Sequence, residues 1–336
     1  MSAFPEYISF LQDPASYSHM VESVELLQTH ISYVTLAGDY AYKWKKPVNF
    51  GFLDFETLEK RKHFCIEELR LNRRLCPTLY LELVAVVQTE HGLQLGLEED
   101  GKVVEYGIKM TRMNQELLMN NQLEAGNVNT KDLDNIIEKL VPFYKTAENS
   151  PELDVFGTAK GFGVNVIENF EQTESFVGGA ALSQESFDTL KKFSLNFLSR
   201  EDVFDARISA GKIRDCHGDM YSANICLEED VQIFDCIEFN ERFRYSDIAA
   251  DIAFLAMDLD YHGRSDLADY FVTAYVTKSG DETLLEVLNF YKIYRAYVRA
   301  KIALFTSSDP AVPKDVAESC VATAAKYFTL ALGYCK

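Results

Sequence analysis

One stretch constrains the chain more than any other: residues 213–251, IRDCHGDMYSANICLEEDVQIFDCIEFNERFRYSDIAAD. It holds His217-Gly218-Asp219, then Asn224 five residues after the aspartate, then Asp235 beyond an alternating apolar segment. Asn224-Ile225-Cys226-Leu227 and Val231-Gln232-Ile233-Phe234 are β-prone runs around an acidic turn, Glu228-Glu229-Asp230, so a hairpin is expected to gather the three polar groups. Transfer of a γ-phosphoryl group needs a carboxylate to orient and deprotonate the acceptor hydroxyl, and oxygen ligands for the magnesium on the phosphates. Asp219 fits the first task, and Asn224 with Asp235 fit the second.

With 336 residues, 47% hydrophobic and 25% charged, the chain is long enough for two lobes and a substantial core. No apolar run approaches the roughly 20 residues that span a bilayer, and the start MSAFPEYISF lacks a basic signal segment, so a cytoplasmic protein without a membrane partner is expected. The seven cysteines are scattered and never form CxxC, which reads as reduced thiols rather than a zinc site or a disulfide framework. A net charge of −19 would repel nucleic acid and anionic membranes. The same charge would attract a cationic acceptor, and it also serves plain solubility.

Residues 4–20 read as a short helical lead-in, with Asp13-Pro14 a helix start. VELLQTH, ISYVTLAG and YAYKWKKPV then read as strands, with a turn at Ala37-Gly38-Asp39-Tyr40. Strand alternation puts Lys43 and Lys45 on one side and Lys46 on the other. Asp54 is the expected cap of a helix over 56–74 with a buried stripe of Leu58, Phe64, Cys65, Leu69 and Leu71. Residues 79–89 and 93–110 supply the remaining strands, turning at Glu99-Asp100-Gly101-Lys102, for a five-stranded antiparallel sheet. From Asn114 the helical period dominates, interrupted by an expected loop at Gly161-Phe162-Gly163 and ending in three amphipathic helices over 264–334. In DIAADIAFL, Asp247 and Asp251 share a helix face, while Tyr291, Tyr294, Arg295 and Tyr297 read as packing.

HGDMYSAN, IFDCIEF and DIAADIAFL resemble the aminoglycoside phosphotransferase family of the protein-kinase-like superfamily, and AYK resembles the end of the kinase VAIK strand. The closest branch shares YKxKKPV, FGFLDF, EELRLNRRL and CHGDxxxxNI and is sometimes followed by an ATPase domain. The resemblance implies an α+β, bilobal fold: a small lobe over 1–110 with the five-stranded sheet and an αC-type helix, a hinge at 111–113, and a mainly helical lobe over 114–336. It implies Asp219 as catalytic base, Asn224 and Asp235 as metal ligands, and Asp247 as the brace of the catalytic loop. A strand lysine, Lys43 with Lys45 as alternative, would meet the α- and β-phosphates while held by Glu68, with Glu67 its rival. Ser32 in the first turn, and Met110, Thr111 and Met113 at the hinge, would complete the nucleotide site. Cys236-Ile237 stands where protein kinases have Phe-Gly, which argues against a mobile DFG segment. The expected activity is ATP- and Mg²⁺-dependent transfer to a hydroxyl of a small molecule, cationic in one reading, with GTP as an alternative donor. A protein Ser/Thr kinase and a nucleotide-binding pseudokinase are the other readings.

Overall fold

The computed structural model describes residues 4–336 and forms two compact units. The first runs to Leu117 and takes in Cys226–Glu241; the second comprises Leu118–Ile225 and Arg242–Lys336.

The first unit is built on one antiparallel sheet of six strands: β1 (Val24–Gln28), β2 (Ser32–Ala37), β3 (Tyr40–Lys45), β4 (Tyr80–Thr89), β5 (Gly92–Gly96) and β6 (Lys102–Thr111). Their order is β1-β2-β3-β6-β4-β5. The sheet has six strands where five were expected, because segment 93–110 with its expected turn supplies two of them: a 3₁₀ turn over Glu98–Asp100, in which Asp100 Oδ2 accepts from Leu97 N at 2.7 Å, separates β5 from β6. Gly38 in the β2–β3 turn has φ +58°, and a Cβ there would stand 2.8 Å from Met20 O, so glycine suits both the backbone and the space.

Alternation along β3 divides the sheet's chemistry. Tyr42 and Trp44 pack with Ile8 and Leu11 of helix α1 (Glu6–Leu11), whereas Ala41, Lys43 and Lys45 point to the other face. Trp44 is fully buried, and the neighbouring strand makes room for it: a Cβ on Gly107 would lie 2.5 Å from its ring. The Asp13-Pro14 signal starts only a 3₁₀ turn, where Asp13 accepts from Ala15 N at 2.9 Å.

The other face carries helix α2 (Leu58–Asn72). Its cap is Thr57, which accepts from Lys60 N at 3.2 Å; Asp54, the expected cap, instead accepts from Glu56 N and pairs with Lys60. The buried face is Arg61, Cys65, Glu68, Leu69, Leu71 and Asn72, half of it polar. Leu58 and Phe64, expected in an apolar stripe, are only half-buried. Arg61 is compensated by Glu105, with Nε 2.8 Å from Oε1.

In the second unit, three long helices, Ser265–Ser279, Leu284–Ser307 and Lys314–Gly333, close the chain as expected. A short strand, Ile213–Asp215, pairs antiparallel with Tyr245–Asp247, which leads into the helix Ile248–Tyr261. Gly161-Phe162-Gly163 is not a loop but part of the helix Ala159–Thr173. Thr158 caps it by accepting from Gly161 N at 2.9 Å, and a Cβ on Gly161 would fall 1.9 Å from Val155 O, so that glycine answers a packing need. No helix among the described residues is long and apolar enough to cross a membrane.

Candidate functional site

In the first unit, the lysine face of β3 meets the buried face of α2. Lys43 Nζ lies 2.7 Å from Glu68 Oε1 and 2.6 Å from Asp235 Oδ1. Lys45 Nζ lies 2.6 Å from Glu68 Oε2 and also bonds Glu238 Oε1. One carboxylate thus gives one oxygen to each lysine. Glu67, its rival in the sequence, turns to the surface and pairs with Arg70 at 2.8 Å. The helical period decides between them, since Glu68 shares the buried face with Arg61, Cys65 and Asn72.

Burial alone would raise the Glu68 carboxyl, but the ammonium groups of Lys43 and Lys45 outweigh it and hold the pKa down at about 2. Burial likewise opposes charge on the lysines. Asp235 and Glu68 outweigh it at Lys43, and Glu238 and Glu68 at Lys45, so both stay firmly protonated. Glu238 is raised from the ordinary range because burial, with the nearby Glu68 charge, exceeds what Lys45 returns.

Asp235 has φ +61°, the one non-glycine residue in the left-handed region among those described. Such a conformation costs on the order of 1–3 kcal/mol and persists only where neighbours over-determine it. Here Cys236 N donates to Asn72 Oδ1 at 2.9 Å, and Asn72 Nδ2 donates to Glu68 O at 2.9 Å, tying the segment to α2.

The expected nucleotide-site residues at the strand ends are placed as follows. Ser32 opens β2 opposite Lys45, with its side chain buried and its N–H donating to Thr29 Oγ1 at 3.0 Å. Met110 lies in the core with Ala41, Cys65 and Ile108, and Met113 packs at the edge of that group. Thr111 ends β6, its hydroxyl donating to Thr78 O at 3.0 Å and its N–H to Leu79 O at 2.9 Å.

In the second unit, Asn224 Nδ2 donates to both Asp219 Oδ2 and Asp219 O at 2.9 Å. The expected hairpin strands shrink to two residues each, Ile225–Cys226 and Gln232–Ile233, and from Cys226 to Glu241 the chain belongs to the first unit. Asp219 N donates to His217 Nδ1 at 3.2 Å across Gly218, which has φ +87°. The brace of this loop is Asp251 rather than the expected Asp247. Asp251 accepts from His217 N at 2.7 Å, Gly218 N at 3.0 Å and Tyr144 Oη at 3.1 Å. Asp247 instead caps the helix Ile248–Tyr261 through Ala249 N and pairs with Arg207 at 2.6 Å. The strand Tyr245–Asp247 runs up to the cap itself, so the side chain one turn further along reaches the loop.

Arg295, expected to be packing, donates to Gly218 O at 2.8 Å and Ala250 O at 3.1 Å and stands 3.5 Å from Asp251. Its signal was available: a charge among Tyr291, Tyr294 and Tyr297 must find partners indoors. Asp251→Asn would put an amide where two backbone donors and a guanidinium need a charge. We expect a loss of about 3–5 kcal/mol in urea unfolding, the cost of breaking a buried charged network. An unchanged midpoint would remove Asp251 as the brace.

Within the second unit the Asn224 amide nitrogen is committed to Asp219. Within the first unit the Asp235 side chain is 47% exposed despite its bond to Lys43. Amide and carboxylate oxygens are each of the kind that hard cations take.

No protein-family model matches the chain. It is 34% identical over 285 residues to uncharacterized protein Rv2004c of Mycobacterium tuberculosis and to uncharacterized protein Mb2027c of Mycobacterium bovis, covering 83% of this chain and 54% of each of those. The chain therefore spans about half the length of the curated relatives it matches. Among solved structures it is similar to the amicoumacin kinase hAmiN (TM-score 0.54, 10% identity, 97% of this chain and 94% of that one). A choline/ethanolamine kinase family protein of Mesorhizobium loti gives TM-score 0.51 at 12% identity, over 96% and 94% of the two chains. A glucosamine kinase gives 0.50 at 11%, over 95% and 80%. At these identities the likeness is one of fold.

Proposed function

The chain has the protein-kinase-like fold, and from that premise we propose that it is an ATP- and Mg²⁺-dependent phosphotransferase acting on a hydroxyl of a small molecule. The observation that carries this reading is Lys43 ion-paired at once with Glu68 and with a conformationally strained Asp235. Lysine, helix glutamate and metal-binding aspartate are the parts that phosphoryl transfer needs on the nucleotide side. The amicoumacin kinase structure holds AMP-PNP and Ca²⁺, and the glucosamine kinase structure holds ADP and inorganic phosphate, which supports a nucleotide and a divalent cation here.

In this reading Lys43 leaves Asp235 to face the α- and β-phosphates, and Glu68 keeps its ammonium in place. Asp235 and Asn224 would hold Mg²⁺, which neutralises charge on the phosphates when bound. Asp219, steadied by Asn224 and by the Asp251-braced loop, orients the acceptor hydroxyl and takes its proton at the carboxylate. The net charge of −19 favours an acceptor carrying positive charge, and the glucosamine of the similar kinase is such a molecule. The seven free thiols suit a reducing cytoplasm.

Calorimetry with ATP or GTP, in Mg²⁺ and in EDTA, tests the reading. Wild type should bind nucleotide in a Mg²⁺-dependent manner, and Asp235→Ala should abolish that dependence. Absence of binding, or a metal dependence unchanged by the substitution, would overturn it. A panel of amino alcohols, amino sugars, neutral sugars and a generic protein substrate then identifies the acceptor class by nucleotide consumption.

A further inference from the structure

We propose that Lys45 and Glu238 are positioning residues for the metal-binding aspartate: their ion pair pins residues 235–238 in place, so the second lysine of β3 serves the metal site without touching nucleotide. This rests on the phosphotransferase reading and deepens it.

The five charged groups form one alternating chain, Asp235–Lys43–Glu68–Lys45–Glu238. Exposure separates its two ends. The Asp235 and Lys43 side chains are 47% and 17% exposed, whereas Lys45 and Glu238 are at 1% and 6%. A ligand can therefore reach the first lysine but not the second. Lys45 is further enclosed by the Phe55 ring, 4.8 Å from Nζ, and Phe55 in turn meets Phe239 edge-on at 6.5 Å.

Glu238 follows Asp235 by three residues, and the segment between and beyond them is held at alternate positions. Asn72 takes the N–H of Cys236, Lys45 takes the carboxylate of Glu238, and Asn240 Nδ2 donates to Phe52 O at 2.9 Å. A left-handed aspartate needs such fastening, because extended backbone is lower in energy for it. Where protein kinases carry a glycine two residues after the metal-binding aspartate, this chain has Ile237, and it follows that with an anchored glutamate. Unfastened, the segment would relax from φ +61°, and the Asp235 carboxylate would lose its fixed aim. Lys43 and Glu68 would still pair, so nucleotide binding that does not involve the metal should survive.

The test compares ADP affinity in Mg²⁺ and in EDTA for wild type, Glu238→Gln and the double variant Lys45→Met/Glu238→Leu, with urea unfolding alongside. In Glu238→Gln the affinity in Mg²⁺ should fall about tenfold, the size usual for losing a group that orients a metal ligand, with the affinity in EDTA unchanged. The double variant removes both charges together. It should recover much of the unfolding midpoint yet keep the Mg²⁺ defect, which a merely structural pair would not do. It also carries the test if the single variant fails to fold. Wild-type-like Mg²⁺ affinity in either variant overturns the inference, and so does an equal loss with and without metal. A wild type that binds no nucleotide overturns the phosphotransferase reading itself, a result distinct from both.

Discussion

Asp219→Asn is expected to keep fold and nucleotide affinity and to lose roughly 10²-fold or more in turnover, the range of a general-base contribution. The substitution is nearly isosteric, and an amide oxygen at position 219 can still accept from Asn224 Nδ2, which now donates to Asp219 Oδ2 at 2.9 Å. What disappears is the capacity to take a proton from the acceptor. The loss should therefore fall on kcat, with little change in nucleotide affinity. Transfer from labelled ATP across the acceptor panel, by wild type and variant, makes the measurement. Equal rates would show that Asp219 is not the base. Nucleotide binding by wild type without transfer to any acceptor, water included, would favour the pseudokinase reading. If the acceptor is cationic, its apparent affinity should also fall with added salt, as attraction to the acidic protein is screened.

The parts of the site that were legible in the sequence are those set by local spacing. HGDxxxxN places Asp219 and Asn224 on one short loop, where they are bonded to each other. Strand period puts Lys43 and Lys45 on one face, and both reach Glu68. The three closing helices follow from their periodicity, and the α+β class was implied by the resemblance carried by HGDMYSAN, IFDCIEF and DIAADIAFL. Less legible were partners fixed by tertiary packing. Glu238, Asp251 and Arg295 are charged residues inside apolar runs, and sequence alone says that they need partners without saying which. Asp247 and Asp251 differ by one helical turn, and only the end of the preceding strand decides which reaches the loop of His217–Asp219. The face of α2 misleads for a similar reason. It buries Arg61 and Glu68 where an apolar stripe is expected, because partners across the sheet neutralise them.

Glu68 should dominate the stability of the first unit. It is completely buried and gives one oxygen to each of two lysines, so Glu68→Gln would leave two ammonium groups sharing the remaining carboxylates. Breaking a buried ion pair from one side costs about 3–5 kcal/mol, and urea unfolding at pH 7 should read a loss of that size. The pH dependence fixes the cause. Its pKa is about 2 in the folded protein, against an ordinary 4.5. A depressed carboxylate stabilises fully above its unfolded value and loses that contribution as pH falls through its folded value. A shift of that size corresponds to on the order of 3 kcal/mol. The stability gap between wild type and Glu68→Gln should therefore narrow as pH falls from about 5 to 2. Glu238 acts in the opposite sense: its raised carboxyl binds a proton more readily folded than unfolded, so its contribution is lost as pH rises from its unfolded value through its higher folded one. The wild-type profile alone mixes the two, and only the difference between wild type and variant isolates Glu68. A gap that stays constant down to pH 2 would mean that Glu68 stabilises the unit by packing and hydrogen bonding rather than by charge.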